Sequence, residues 1–168
     1  MTTLIAEPLT ANAFAAYGDV IEMAGHDPMP MNYGMAERYH ALAPVVIDED
    51  GQAIISLVKS HRYELPHQIR LVERHPLGSQ AFIPLDSNPF IVIVAGAGEQ
   101  VSPEDVRAFI TNGEQGINYR PGIWHGLLFT PAEESRFVCV ERQGPGNNCE
   151  EFYFPEDQPL WLELNSSR

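Results

Sequence analysis

Glu73 and His75 stand two residues apart in the stretch VERHP. Gln80 follows in GSQAF, and a further imidazole, His125, comes after the Pro-Gly turn of RPGIWHGLLF. On an extended strand a spacing of two puts Glu73 and His75 on one face. A carboxylate and two imidazoles are donor types that hold divalent ions such as nickel, manganese or iron. They are also the groups that exchange protons in general acid–base chemistry. The Gln80 amide is a poorer ligand but a ready hydrogen-bond partner. Glu73, His75, Gln80 and His125 are therefore the candidate metal set, with Glu73, His75 and His125 as candidate proton carriers. Spacing alone leaves another reading open, in which both histidines are hydrogen-bonded strand-end residues and hold no ion.

These side chains must be positioned by strands. VERHPLGSQAFIPL reads as strand, turn, strand, with Gln80 and Phe82 able to share the face of Glu73 and His75. QIRLVERHP alternates, grouping Ile69, Leu71, Glu73 and His75 on one face. Arg74 then points the other way and is structural. VVIDEDGQAIISLVK reads as two strands around an Asp-Gly turn. QAFIPL, FIVIVAG, RAFIT, INYRPG, HGLLFT and RFVCVERQ are further short β runs. They recur at intervals of roughly 8–15 residues with Gly or Pro between, the pattern of a β-sandwich or barrel. A short helix capped by Thr10 and ending at Gly18, and one helical turn from Ser102, are the exceptions. The stretch from Gly25 to about Ala36 reads as loop. The tail EEFYFPEDQPLWLEL is apolar and broken by Pro, so it is expected to pack over the barrel or against a partner subunit.

The chain has 168 residues, which suits one domain over 1–168 with a substantial core. A formal net charge of −13 makes nucleic acid and anionic membranes poor partners. Lys59 is the only lysine, and the other basic residues are all Arg, the better fork for a carboxylate. Cys139 and Cys149 are too few for a disulfide scaffold or a cysteine zinc site. The N-terminal stretch lacks a secretory pattern and no apolar run is long enough to span a bilayer, so the expected compartment is the cytoplasm.

Glu73, His75, Gln80 and His125 occupy the relative positions of the ligands in the two cupin motifs. Glu73 stands in place of the first histidine and Gln80 in place of the glutamate. On a finer scale NYGMAERYH, ERHPLGSQAFIP, RAFITNGEQGINY and WHGLLF together resemble the ureidoglycolate lyase family, and the likeness runs from AYGDVIE to GNNCEE. The resemblance implies an all-β-dominated fold, a cupin-type β-barrel (double-stranded β-helix) with a few short helices. It also implies a homodimer, a divalent metal often given as nickel, and cleavage of ureidoglycolate to glyoxylate and urea.

That reaction removes a hydroxyl proton, breaks a C–N bond and protonates the leaving nitrogen, which is general acid–base work needing no covalent nucleophile and no organic cofactor. A metal chelated by the hydroxyl and carboxylate would acidify the hydroxyl. For the carboxylate of this small anionic substrate, Arg38 is the first candidate clamp, with Arg142 second and Lys59 third. Arg38 has the alternative of a surface pair with Glu37. Asn112 and Gln115 either bind the ureido group or close the turn that Gly113 and Gly116 demand. Tyr119 and Trp124 are cavity wall or core. The competing functions are a ureidoglycolate amidohydrolase, a non-catalytic small-molecule-binding cupin, and a cupin oxygenase, which would want a fuller histidine set.

Overall fold

A computed structural model describes residues 2–164, and its regular secondary structure is almost entirely β-strand. The central layer is a six-stranded sheet ordered Glu150–Tyr153, Leu71–Arg74, Trp124–His125, Ile91–Ala95, Arg107–Ile110 and Glu7–Pro8. Facing it is a five-stranded sheet ordered Gly18–Ile21, Gly116–Tyr119, Gln80–Pro84, Glu134–Gln143 and Gln52–His61. A three-stranded sheet of Thr2–Ile5, Leu160–Glu163 and His67–Ile69 covers the back of the central layer. The sheets are not closed into one hydrogen-bonded barrel, but the all-β, cupin-like expectation holds.

The strand Ile91–Ala95 shows why. All five of its residues are buried, because both its faces are covered. Ile91, Ile93 and Ala95 pack with Leu4, Leu160, Leu162, Val72 and Trp124 in the outer core. Val92 and Val94 pack with Phe90, Phe109, Ile117 and Phe137 in the core between the two large sheets. Phe90 and Phe137 meet edge to face at 5.0 Å and are fully buried, each contributing about 1.5–3 kcal/mol by leaving water.

Thr10 caps the short helix Ala11–Phe14, accepting from the Ala13 amide, and Pro103–Asp105 forms one 3₁₀ turn. The loop before Ala36 holds a strand, Met29–Met31, which pairs with Ala36–Arg38.

Three further local expectations are corrected. First, Leu71–Arg74 and Gln80–Pro84 are not a hairpin: they lie in opposite sheets, so the intervening segment is a crossover. Second, the alternation through QIRLVERHP breaks at Arg70, where the chain leaves the three-stranded sheet for the six-stranded one. Ile69 packs in the outer core, away from Glu73.

Third, the segment before Gln52 does not pair with Gln52–His61. Its Ile47 bridges Gly78, and Val46 exchanges hydrogen bonds with Ser79. The cause is Arg142, whose guanidinium donates to both oxygens of Asp48 at 2.8 and 3.1 Å and draws the segment across the crossover. Gly78 permits the approach, since a Cβ there would stand 2.6 Å from Arg142 Cβ. The apolar tail takes the first of its two expected places, packed over its own chain: Glu150–Tyr153 pairs with Leu71–Arg74, and Leu160 and Leu162 are fully buried.

Candidate active site

The crossover and the Pro-Gly turn bring the polar residues together between the two large sheets. Glu73 and His125 are register partners on adjacent antiparallel strands. His75 lies just beyond its strand, and its carbonyl accepts from the Gly122 amide at 3.0 Å. Gly122 takes φ 78°, the left-handed region glycine adopts freely. That turn therefore fixes both histidines, one by its hydrogen bond and the other three residues along the chain.

The imidazoles are held in one tautomer each. His75 Nδ1 donates to the Asn148 carbonyl at 2.6 Å, and His125 Nδ1 donates to the Gly126 carbonyl at 3.1 Å. In the neutral ring each Nε2 is then a bare lone pair, and both are buried without a partner. The Glu73 carboxylate lies 3.8 Å from His75 Nε2. Ligand atoms of Glu73, His75 and His125 all fall within 4.8 Å of one another. Three lone-pair donors so close, two of them buried and unpartnered, repel one another unless a cation or a proton sits among them. Backbone anchoring of the far imidazole nitrogen is also the usual outer support of a metal-bound histidine. The donor set therefore fits a divalent ion.

Burial pushes the Glu73 carboxyl above its ordinary value, with His75 opposing and the Glu151 and Glu141 carboxylates adding to the rise. Burial, helped by His75, drives His125 down to about 3, so its ring stays neutral. Tyr119 lies flat on that ring, 4.2 Å between centroids. Burial and then Glu73 raise the phenol, which keeps its proton.

A cavity of about 200 Å³ opens in front of His125, walled by Val58, Phe82, Tyr119 and Leu128 with Glu73, Gln80 and Glu141 as its polar lining. Gln80 Nε2 donates to Glu141 Oε2 at 2.8 Å. Glu141 is absent from the residues the sequence singles out, where its neighbour Arg142 stands as a candidate clamp. The register decides between them: buried Phe137 and Cys139 face inward, so Glu141 does too. The spacing F-x-C-x-E was the available signal. Asn148 also went unnoticed, because its contribution is a backbone carbonyl.

The remaining candidates lie elsewhere. Arg142 is almost fully buried and committed to Asp48 and the Pro145 carbonyl. Lys59 is exposed and ion-paired with Glu134 at 3.4 Å, on the strand face opposite Val58. Arg38 is exposed on the small two-stranded sheet. Asn112 accepts from the Glu114 amide, and Gln115 accepts from the Asn112 amide, closing their own turn. None of these five lines the cavity. Arg74 is bonded to Glu150 and lies over Trp124, away from the site.

A family profile described as ureidoglycolate lyase matches residues 1–163. The chain belongs to the ureidoglycolate lyase family. It is 50% identical to a protein named ureidoglycolate lyase from Pseudomonas aeruginosa strain LESB58, over 100% of both chains. It is 51% identical to one of the same name from Stutzerimonas stutzeri strain A1501, over 97% of this chain and 96% of that one. A third, from Pseudomonas entomophila strain L48, is 50% identical over 96% and 98%. Similarity along the full length places the histidine centre and the cavity within the part of the chain that this family shares.

Proposed function

We propose that this chain cleaves ureidoglycolate to glyoxylate and urea, acting as a carbon–nitrogen lyase at the Glu73–His75–His125 centre. The observation that carries the reading is the pair of buried, unpartnered Nε2 atoms beside a carboxylate of raised pKa, in a chain of this family. Glu73, His75 and His125 would hold a divalent metal, with nickel our choice because imidazole suits it. Gln80 lines the same cavity on the side of Glu141. When bound, the ion would neutralise the substrate carboxylate and acidify its hydroxyl.

The residues divide the remaining work. His125, driven down to about 3, supplies a lone pair and carries no proton at neutral pH. Glu73, raised by burial, accepts the hydroxyl proton on the carboxylate oxygen that would not hold the ion, with His75 beside it fixing its place. As that proton leaves, the carbonyl of glyoxylate forms and the C–N bond breaks. The same proton is returned to the departing urea nitrogen, so nothing is consumed and no nucleophile is needed. The apolar walls limit the water that competes for it. Among the described residues no Lys or Arg lines the cavity, which leaves the substrate carboxylate to the metal end.

We further propose a cytoplasmic homodimer, with the whole chain as one domain. Both cores share the strand Ile91–Ala95, which supports a single cooperative unit. Two free cysteines suit a reducing compartment. With the tail buried on its own chain, the surface suited to a second copy is the outer strand Gln52–His61, where Ile55 and Leu57 are 76% and 77% exposed. The function is tested by measuring urea and ammonia separately after incubation with ureidoglycolate. Urea above a protein-free blank supports the lyase, and ammonia in its place replaces it with an amidohydrolase.

A further inference from the structure

We infer that Gln80 and Glu141 form the end of the cavity that recognises the ureido group, with Gln80 Oε1 receiving its N–H donors and Glu141 acting as the positioning residue that sets the amide. The inference rests on the lyase reading above and adds to it an orientation of the substrate.

An ionised carboxylate only accepts hydrogen bonds, so the Gln80 amide must turn its NH₂ toward Glu141. That choice leaves Oε1 as a buried carbonyl oxygen without a partner, on a side chain that lines the cavity. Such an acceptor needs a donor from whatever enters. Glu141 is itself well held. It shares its strand face with the buried Cys139, whose thiol is pushed up to about 12 by burial and then by Glu141. The next residue, Arg142, is pinned to Asp48, which fixes the strand end.

The two ends of the cavity thus differ in chemistry. The Gln80–Glu141 end offers acceptors, and a carboxylate there would face Glu141 directly. A ureido group is the donor-rich end of ureidoglycolate, carrying three N–H bonds. Its opposite end, a carboxylate and a hydroxyl, suits the histidine centre. Gln80 is the register partner of Tyr119, which stacks on His125. Gln80 and His125 are therefore both neighbours of Tyr119 and line the same cavity of about 200 Å³, a space that suits a small substrate.

The test compares product inhibition, because urea and glyoxylate occupy opposite ends. In Gln80→Leu and Glu141→Gln, KM for ureidoglycolate is expected to rise about tenfold or more. The inhibition constant of urea rises in parallel, while that of glyoxylate stays within about twofold. Glu141→Asp, which keeps an acceptor-only group, lies nearer the wild type. Circular dichroism and melting curves establish that each variant is folded, and Gln80→Leu carries the test if Glu141→Gln is not. Unchanged urea inhibition in a folded variant overturns the subsite while leaving the lyase reading intact. Equal losses toward urea and glyoxylate overturn it as well. A wild-type protein that releases no urea above the blank overturns the lyase reading, and the subsite with it.

Discussion

Tyr119 and His125 are stacked with their planes 7° from parallel, and they come from opposite sheets. The contact therefore joins the two layers at the point where the chemistry is proposed. It also fixes the ring plane of His125 and so the direction of its Nε2 lone pair. Tyr119→Phe keeps the stack and is expected to change stability by less than about 1 kcal/mol. Tyr119→Leu removes it, and is expected to cost about 1–3 kcal/mol and to lower kcat/KM well below that of Tyr119→Phe. Denaturant titration and steady-state kinetics on both variants check this. Equal activity in the two would show that the stack does not orient the histidine.

His125 also sets a pH dependence in the metal-free protein. Its folded value is depressed from 6.5 to about 3. Between those values the unfolded chain binds more protons than the folded one, so stability is lost as pH falls through this window. Glu73 has the opposite sign: its raised value means the folded state takes a proton more readily, adding stability as pH falls through it. In the chelated protein His125→Asn should flatten the loss below about pH 6.5, measured by melting temperature against pH. An unchanged profile would show that His125 titrates normally.

The Arg142–Asp48 pair separates a structural role from a substrate role. Asp48→Asn leaves the buried guanidinium without its counter-charge. A fall of several degrees in melting temperature is expected, with KM for ureidoglycolate unchanged at a temperature where the variant is folded. A raised KM with full stability would return Arg142 to the binding site.

The exposed pair Ile55 and Leu57 is the surface proposed to carry a dimer. Leu57→Glu places a charge in that face and is expected to yield a species of one chain mass by light scattering, where the wild type gives two. A wild type that already scatters as a single chain ends the proposal.

The strands and the converging residues Glu73, His75 and His125 were readable from the sequence, because period-two alternation and motif spacing are local properties. Pairing was not. VERHPLGSQAFIPL has the local look of a hairpin, and only the opposed sheets turn it into a crossover. The parity of Glu141 and Arg142 depended on which face of Glu134–Gln143 meets the core, a fact set by the partners of that strand. Arg142 looked like a clamp because its partner, Asp48, is remote in sequence. The acceptor left open on Gln80 arises from Glu141, equally remote, and no local signal announces it.

The central claim is that Glu73, His75 and His125 release intact urea from ureidoglycolate. The direct measurement is the ratio of urea to glyoxylate formed by purified protein, without urease, beside a protein-free blank and the variants Glu73→Gln and His75→Ala. One urea per glyoxylate is predicted, at a rate far above the blank, with both variants falling toward it and ammonia staying at background. Ammonia in place of urea, or variants as fast as the wild type, would contradict the account.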